Sequence, residues 1–223
     1  MTGGFFITGT DTGVGKTWAT VALMRHLQSL GSSVLGMKPV AAGCFLNDGQ
    51  WQNDDALLLQ ENGSLAVDYT CTNPYALKAP VSPHIAAAEM GCTVQLEEIL
   101  RNFYHLRSLV DIVLVEGAGG WFAPINDRQD IADLAAVLEL PVILVVAIRL
   151  GCINHAKLSY QAILASGQPC AGWIAVCSEQ HMLAREQNIA TIRRALDVPL
   201  LGILPYTHYP DFNFLSKHLQ ILP

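Results

Sequence analysis

The residues best equipped for chemistry begin with a short stretch near the start of the chain, Gly9-Thr10-Asp11-Thr12-Gly13-Val14-Gly15-Lys16-Thr17. Glycines let successive backbone N–H groups turn inward onto an anion, and a helix opening at Lys16 adds the positive end of its dipole. A lysine in that place reaches the β- and γ-phosphates of a nucleoside triphosphate, and the threonine after it offers a hydroxyl to the accompanying magnesium ion. The usual spacing, G-x-x-x-x-G-K-[ST], is broken only at its first position, where Thr10 stands and Gly9 comes one place early. The bland alternative is a glycine-rich turn. Against it stands the context: an apolar run, Phe5-Phe6-Ile7-Thr8, precedes the loop and a helical stretch, Trp18 to Leu30, follows.

Two further stretches carry charge to places where such a loop could use it. Lys38-Pro39-Val40-Ala41-Ala42-Gly43 follows the apolar run Val34 to Met37, so that a lysine at a strand end aims an ammonium toward the phosphates. Val115-Glu116-Gly117-Ala118-Gly119-Gly120 follows Ile112 to Val115. There Glu116 is placed to help hold magnesium where the chain leaves the core, and the glycines let backbone N–H groups approach the terminal phosphate. Other candidates are ordinary on spacing alone. Asp54 and Asp55 open a helical stretch and are explained by helix capping. Gly151-Cys152-Ile153-Asn154-His155 precedes or opens a helix and could receive an anion such as a carboxylate, or be a plain loop. Ser82-Pro83-His84 is a helix start, with Ser82 as cap and Pro83 in the first turn. No Gly-x-Ser-x-Gly elbow supports a serine triad.

The elements that must position these groups alternate. Strands are expected over Phe5–Thr8, Val34–Met37, Asp111–Val115, Pro141–Ile148, Gly172–Cys177 and Leu200–Leu204. Helices are expected over Lys16–Leu30, Asp54–Glu61, Pro83–Met90, Leu96–Leu106, Asp130–Glu139, His155–Ser166 and Leu183–Leu196. Alternation of this kind gives right-handed crossovers and an α/β fold, a mostly parallel sheet with helices on both faces, and ligands then bind at the carboxyl ends of the strands. The chain has 223 residues and no linker-like or low-complexity stretch, so residues 1–223 are expected to form a single domain.

Composition narrows the partners. Hydrophobic residues make up 51% and charged residues 14%, as suits strands buried on both sides. The longest apolar run, Val142 to Ile148, is too short to span a bilayer, and the N-terminus lacks a leader pattern, so no membrane association and a cytoplasmic location are expected. The net charge of −6, with no basic stripe, argues against nucleic acid. The six cysteines form no C-x-x-C pair and the seven histidines no H-E-x-x-H pair, which disfavours zinc and a disulfide framework and suggests mostly buried thiols.

Taken together, the loop from Gly9 to Thr17, Lys38-Pro39-Val40, Ser82-Pro83-His84, Val115 to Trp121 and Gly151 to His155 resemble, in order and spacing and over nearly the whole chain, the dethiobiotin synthetase family. The resemblance implies a single-domain P-loop NTPase fold and an ATP-dependent ligase. It would close 7,8-diaminononanoate with carbon dioxide into the cyclic urea of dethiobiotin, through a carbamate that ATP phosphorylates. It further implies nucleotide-binding positions at Gly13, Val14, Gly15, Lys16, Thr17, Glu116, Gly117, Ala118, Gly119, Val176 and Pro205, and magnesium positions at Thr17, Asp55 and Glu116. Lys16, Lys38 and Thr12 would be catalytic, and Thr12, Lys38, Ala42, Ser82, Gly151, Cys152, Ile153 and Asn154 would bind substrate. The last four would act across the interface of a homodimer, on the substrate's carboxylate.

The chain departs from the family pattern in places. An Asn-Asp pair after the fifth strand, whose amide reads the adenine edge, is replaced by Ala175-Val176-Cys177-Ser178. Valine makes no such hydrogen bond, so relaxed base selectivity is expected. Ala42 stands where some members have a serine, and Asn188 lies near where some have a tyrosine that reaches the substrate carboxylate. The alternative on this architecture is a ParA/MinD-like ATPase switch. Its signature lysine would fall early in the loop, where this chain has Thr10-Asp11-Thr12.

Overall fold

The structure, a computed structural model, describes residues 3–220; residues 1–2 and 221–223, the ends of the expected single unit, lie outside the described residues. The elements run β1 (Gly4–Gly9), α1 (Lys16–Ser29), β2 (Val34–Met37), β3 (Val40–Ala42), β4 (Phe45–Asn47), β5 (Gln50–Gln52), α2 (Asp54–Glu61), α3 (Tyr69–Thr72) and β6 (Tyr75–Leu77). They continue with α4 (Pro83–Glu89), α5 (Leu96–Leu109), β7 (Ile112–Glu116), α6 (Ile131–Leu138), β8 (Val142–Ala147), α7 (Cys152–Ala165), β9 (Cys170–Val176), α8 (Arg185–Ala195), β10 (Leu200–Leu204) and α9 (Phe212–Ser216).

Six strands form one sheet in the order β10-β9-β8-β1-β7-β2, every pairing parallel. These are the apolar runs expected from the sequence. Because side chains alternate across a strand, each strand feeds two cores. In β8, Val142, Leu144 and Val146 join one cluster with Leu96 and Ile99 of α5, Leu134 of α6 and Ala156 of α7. Ile143, Val145 and Ala147 join the other, with Leu23 and Met24 of α1, Leu59 of α2 and Leu215 of α9. Helices therefore cover both faces.

The sequence reading missed the small elements. Strands β3 and β6 pair in parallel and β4 and β5 form an antiparallel hairpin, each strand only three residues long. The hairpin turns on Asp48 (φ 47°) and Gly49 (φ 82°), both left-handed, as a two-residue hairpin loop demands. Two local details near the site also differ. Helix α7 opens at Cys152 rather than His155, which puts Cys152, Ile153 and Asn154 in its first turn. Ser82 occupies the cap position of α4, but its hydroxyl does not cap the helix and instead lies 3.1 Å from His84 Nδ1.

Candidate active site

Strand β1 delivers the chain into the glycine-rich loop at the middle of the sheet, between β7 and β8. Gly15 caps α1 with φ 87° and no side-chain cap bond, so first-turn N–H groups are left to an anion. Space and φ together dictate glycine there: a Cβ on Gly15 would lie 2.9 Å from Cγ1 of Val176, at the end of β9. Lys16 Nζ donates to Asp11 O at 2.8 Å and to Gly119 O at 2.7 Å, so the ammonium joins the first loop to the one after β7. Burial lowers its pKa from 10.5 to about 8; Glu116 opposes this and Lys38 adds to it. Asp11 is also tied to Arg149, 3.3 Å away, just beyond β8.

A second cluster sits beside the loop. Lys38, one residue past β2, places its Nζ 2.6 Å from Glu116 Oε1 and 2.8 Å from Asp55 Oδ2. Thr17 Oγ1 donates to the same Glu116 Oε1 at 2.9 Å. Glu116 is the last residue of β7, is fully buried and pairs in register with Ile7, so it stands deeper than a residue leaving the core. Burial alone would lower the Lys38 ammonium, but the carboxylates of Glu116 and Asp55 outweigh it and hold its pKa at about 12. Burial would raise Asp55, and Lys38 reverses that too, leaving its carboxyl below the usual value.

On spacing alone Asp55 reads as a helix cap, but Asn53 is the cap of α2, its Oδ1 accepting from the N–H groups of Asp55 and Ala56, which leaves the Asp55 carboxylate, a magnesium position by the family resemblance, to pair with Lys38. A buried chain of hydrogen bonds fixes the two partners relative to each other. Asn53 N–H donates to Tyr69 Oη, whose hydroxyl donates to Asn73 Oδ1, and Asn73 Nδ2 donates to Lys38 O at 2.7 Å. Thr72 O accepts from Lys38 N–H at 2.8 Å. Nothing in the spacing of Tyr69, Thr72 and Asn73 announced this role; α3, of four residues, and β6, of three, are too short to carry a periodic signal.

These groups open onto one cavity of about 860 Å³. Of the residues expected at the site, Thr12, Gly13, Val14, Gly15, Lys16, Thr17, Lys38, Ala42, Asp55, Ser82, Glu116, Ala118, Gly119, Val176 and Pro205 line it. Gly117 does not: it is buried beneath, where a Cβ would lie 3.1 Å from Ile131 Cγ2 and 3.3 Å from the Phe6 ring. Gly151, Cys152, Ile153 and Asn154 do not line it either. They form the start of α7, with Cys152 buried and Gly151 and Asn154 exposed. Cys152 Sγ lies 3.9 Å from Asn188 Oδ1, so Asn188 stands beside that helix start within the same chain. Tyr206 and Thr207 after β10, and Cys177 and Ser178 after β9, extend the cavity beyond Val176 and Pro205. The rule that ligands gather at strand carboxyl ends could have found them. The expectation of mostly buried cysteines is corrected: only Cys44, Cys152 and Cys177 are buried, and Cys92 is exposed.

The donor set suits a hard divalent cation: two carboxylates and a hydroxyl, all oxygen. Glu116 Oε2, buried without a hydrogen-bond partner, is the oxygen such an ion would satisfy. Among the described residues no group of three or more His, Cys, Asp and Glu side chains gathers for a metal, so the carboxylates act as a pair rather than as a cage. No helix among the described residues is long and apolar enough to cross a membrane.

Comparison with known proteins bears on what this arrangement serves. A family described as AAA domain matches residues 3–211. ATP-dependent dethiobiotin synthetase BioD of Xylella fastidiosa strain Temecula1 is 49% identical over 202 residues, which cover 91% of this chain and 89% of that protein. The protein of the same name from Xanthomonas axonopodis pv. citri strain 306 is 48% identical over 217 residues, 97% of each chain. The MinD cell division protein of Aquifex aeolicus superposes with a TM-score of 0.57 at 18% identity, over 97% of this chain and 87% of that one, a likeness of fold alone. Near-half identity along almost the full length, with the phosphate loop and the Lys38–Glu116 cluster at one cavity, leaves the ATPase switch as a cousin in fold: the chain belongs to the dethiobiotin synthetase family of ATP-dependent ligases.

Proposed function

We propose that the chain carboxylates 7,8-diaminononanoate with carbon dioxide and closes it to dethiobiotin, with ATP converted to ADP and phosphate, the penultimate step of biotin synthesis. One amine takes up carbon dioxide as a carbamate, a carbamate oxygen accepts the γ-phosphoryl group, and the second amine attacks the carbamoyl carbon and expels phosphate. The observation that carries this reading is the convergence of two lysines and two carboxylates, Lys16, Lys38, Asp55 and Glu116, on a phosphate loop in a chain so similar to named dethiobiotin synthetases.

The protein's task is to align the carbamate oxygen with the γ-phosphorus and to offset the charge that spreads over the phosphoryl oxygens. N–H groups of Gly13 to Thr17 cradle the phosphates. Lys16 leaves its two carbonyl partners for the phosphoryl oxygens, and Lys38 serves the carbamate side. Thr17, Asp55 and Glu116 would hold the magnesium ion, which when bound offsets charge on the β- and γ-phosphates. Thr12 and Ser82 orient the diamine along the wall that Ala42 also lines. Gly151 to Asn154 serve the site of a second copy in a homodimer, receiving the substrate's carboxylate at the uncapped start of α7; their position away from this chain's own cavity supports that assignment.

The test is mass-spectrometric detection of dethiobiotin from purified protein supplied with diaminononanoate, bicarbonate, magnesium and ATP, beside diamine-free and Lys16→Ala controls. Product formed in step with ADP and missing from both controls is the expected result. ATP turnover without product would overturn the proposal and restore the ATPase switch.

A further inference from the structure

Lys38 sits against the oxygens that the reading above assigns to the magnesium ion. One ammonium touches both candidate carboxylates, at 2.6 Å from Glu116 Oε1 and 2.8 Å from Asp55 Oδ2, and Thr17, the third oxygen donor, bonds to the same Glu116 atom at 2.9 Å. Lys38 and Glu116 are 6% and 0% exposed, so water screens their contact little. A divalent ion arriving at these oxygens would meet a positive charge at contact distance, in surroundings where that repulsion is far stronger than in bulk water.

The monovalent group fills the position incompletely, because Glu116 Oε2 is left buried and unpartnered. The backbone at Lys38 cannot give way, being held by Asn73 and Thr72 and followed by Pro39, so only the flexible side chain can move.

We propose that Lys38 is a built-in substitute for the magnesium ion: it closes the site to free metal, and the ion enters only together with a nucleotide, whose phosphates take over the displaced ammonium. The inference rests on the reading above that Thr17, Asp55 and Glu116 hold the ion. It adds an order to binding. The lysine that serves the carbamate becomes available only when nucleotide and metal are both in place, so the same step that loads the site also arms it.

The experiment titrates magnesium alone, by calorimetry, into nucleotide-free wild type, Lys38→Met and Lys38→Gln, and into wild type holding ADP. Wild type without nucleotide should bind the ion at least tenfold more weakly than either variant, and should gain saturable binding when ADP is present. Magnesium alone should raise the melting temperature of the variants and leave that of the wild type unchanged. If Lys38→Met does not fold, Lys38→Gln, which retains a donor for Glu116, decides the comparison. A magnesium affinity of nucleotide-free wild type less than tenfold below that of the variants would overturn the proposal. The dethiobiotin assay on the same wild-type preparation separates the two readings: product with free uptake of magnesium removes the substitute and keeps the function, and the expected metal pattern without product does the reverse.

Discussion

Replacing Lys16 by methionine should make the protein more stable while abolishing the phosphoryl transfer proposed above. Lys16 is 7% exposed, its hydrogen-bond acceptors are two carbonyls, and burial has lowered its pKa from 10.5 to about 8. That lowering corresponds to about 3 kcal/mol against folding at neutral pH, at about 1.4 kcal/mol for each pH unit. Methionine fills similar volume without charge and forgoes two hydrogen bonds worth on the order of 1 kcal/mol in total once water reaches the freed carbonyls. A net gain of about 2 kcal/mol remains, or a melting temperature higher by about 4–8 °C for a chain of this size. The sign with pH follows from proton counting. The folded pKa lies below the unfolded one, so between about 8 and 10.5 the unfolded chain holds more protons at Lys16 and wild-type stability gains from rising pH. The advantage of Lys16→Met is therefore full below pH 8 and fades toward pH 10.5. Urea denaturation of both proteins at pH 7 and pH 9.5, with unchanged m-values, measures it. A variant less stable than wild type at pH 7, or a difference that does not shrink with pH, would refute the reasoning.

The same lysine should respond to ligand. Phosphates raise its pKa again, so ADP affinity measured by calorimetry should weaken by up to tenfold per pH unit above pH 8, with proton uptake on binding; a flat profile from pH 7 to 9.5 would contradict this. Lys16→Ala should lower turnover by orders of magnitude in a folded protein, as seen by circular dichroism and single-turnover kinetics, since the charge is needed most in the transition state. Lys38→Met should lose about 3–5 kcal/mol in urea denaturation, because it strands the buried Glu116 carboxylate, and Lys38→Met/Glu116→Gln should recover at least half of it; equal stabilities would argue that the pair is not buried together. Val176 presents only methyl groups to the nucleotide cavity, so CTP and GTP should support dethiobiotin formation at no less than about a tenth of the ATP efficiency, a ratio of kcat/KM values that a selective enzyme would fail to reach.

The six strands of the sheet were legible because burial on both sides writes them as unbroken apolar runs, of which Val142 to Ala147 is the clearest. The hairpin of Phe45–Asn47 and Gln50–Gln52 was not, since two three-residue strands, one exposed and one half-buried, show no period; Asp48-Gly49 is its one local signal. The phosphate loop was visible as a local pattern. The ion pair of Lys38 with Glu116 was not, because it joins residues 78 apart and exists only once β2 lies beside β7. Asp55 illustrates the limit of local reasoning: acidic residues at a helix start have a sufficient explanation in capping, and only the demonstration that Asn53 already caps leaves its carboxylate available. The lack of a side chain at Gly117 also serves packing, since a Cβ there would crowd Ile131 and the Phe6 ring, a constraint that no local pattern carries.

The strand order carries a consequence for how the protein is made. Strands β1 and β2 follow each other in the chain yet do not touch in the sheet; β7, some seventy residues later, inserts between them, and β8 then flanks β1 on its other side. A ribosome that has released only the first hundred residues has therefore produced the glycine loop and Lys38 without the strand that joins them or the carboxylate that lies between. Contacts so distant in sequence are slow to form and cannot be rehearsed by fragments. The phosphate loop, Lys38 and Glu116 are therefore brought together only in a chain that already includes β7, and no shorter fragment holds the complete cluster.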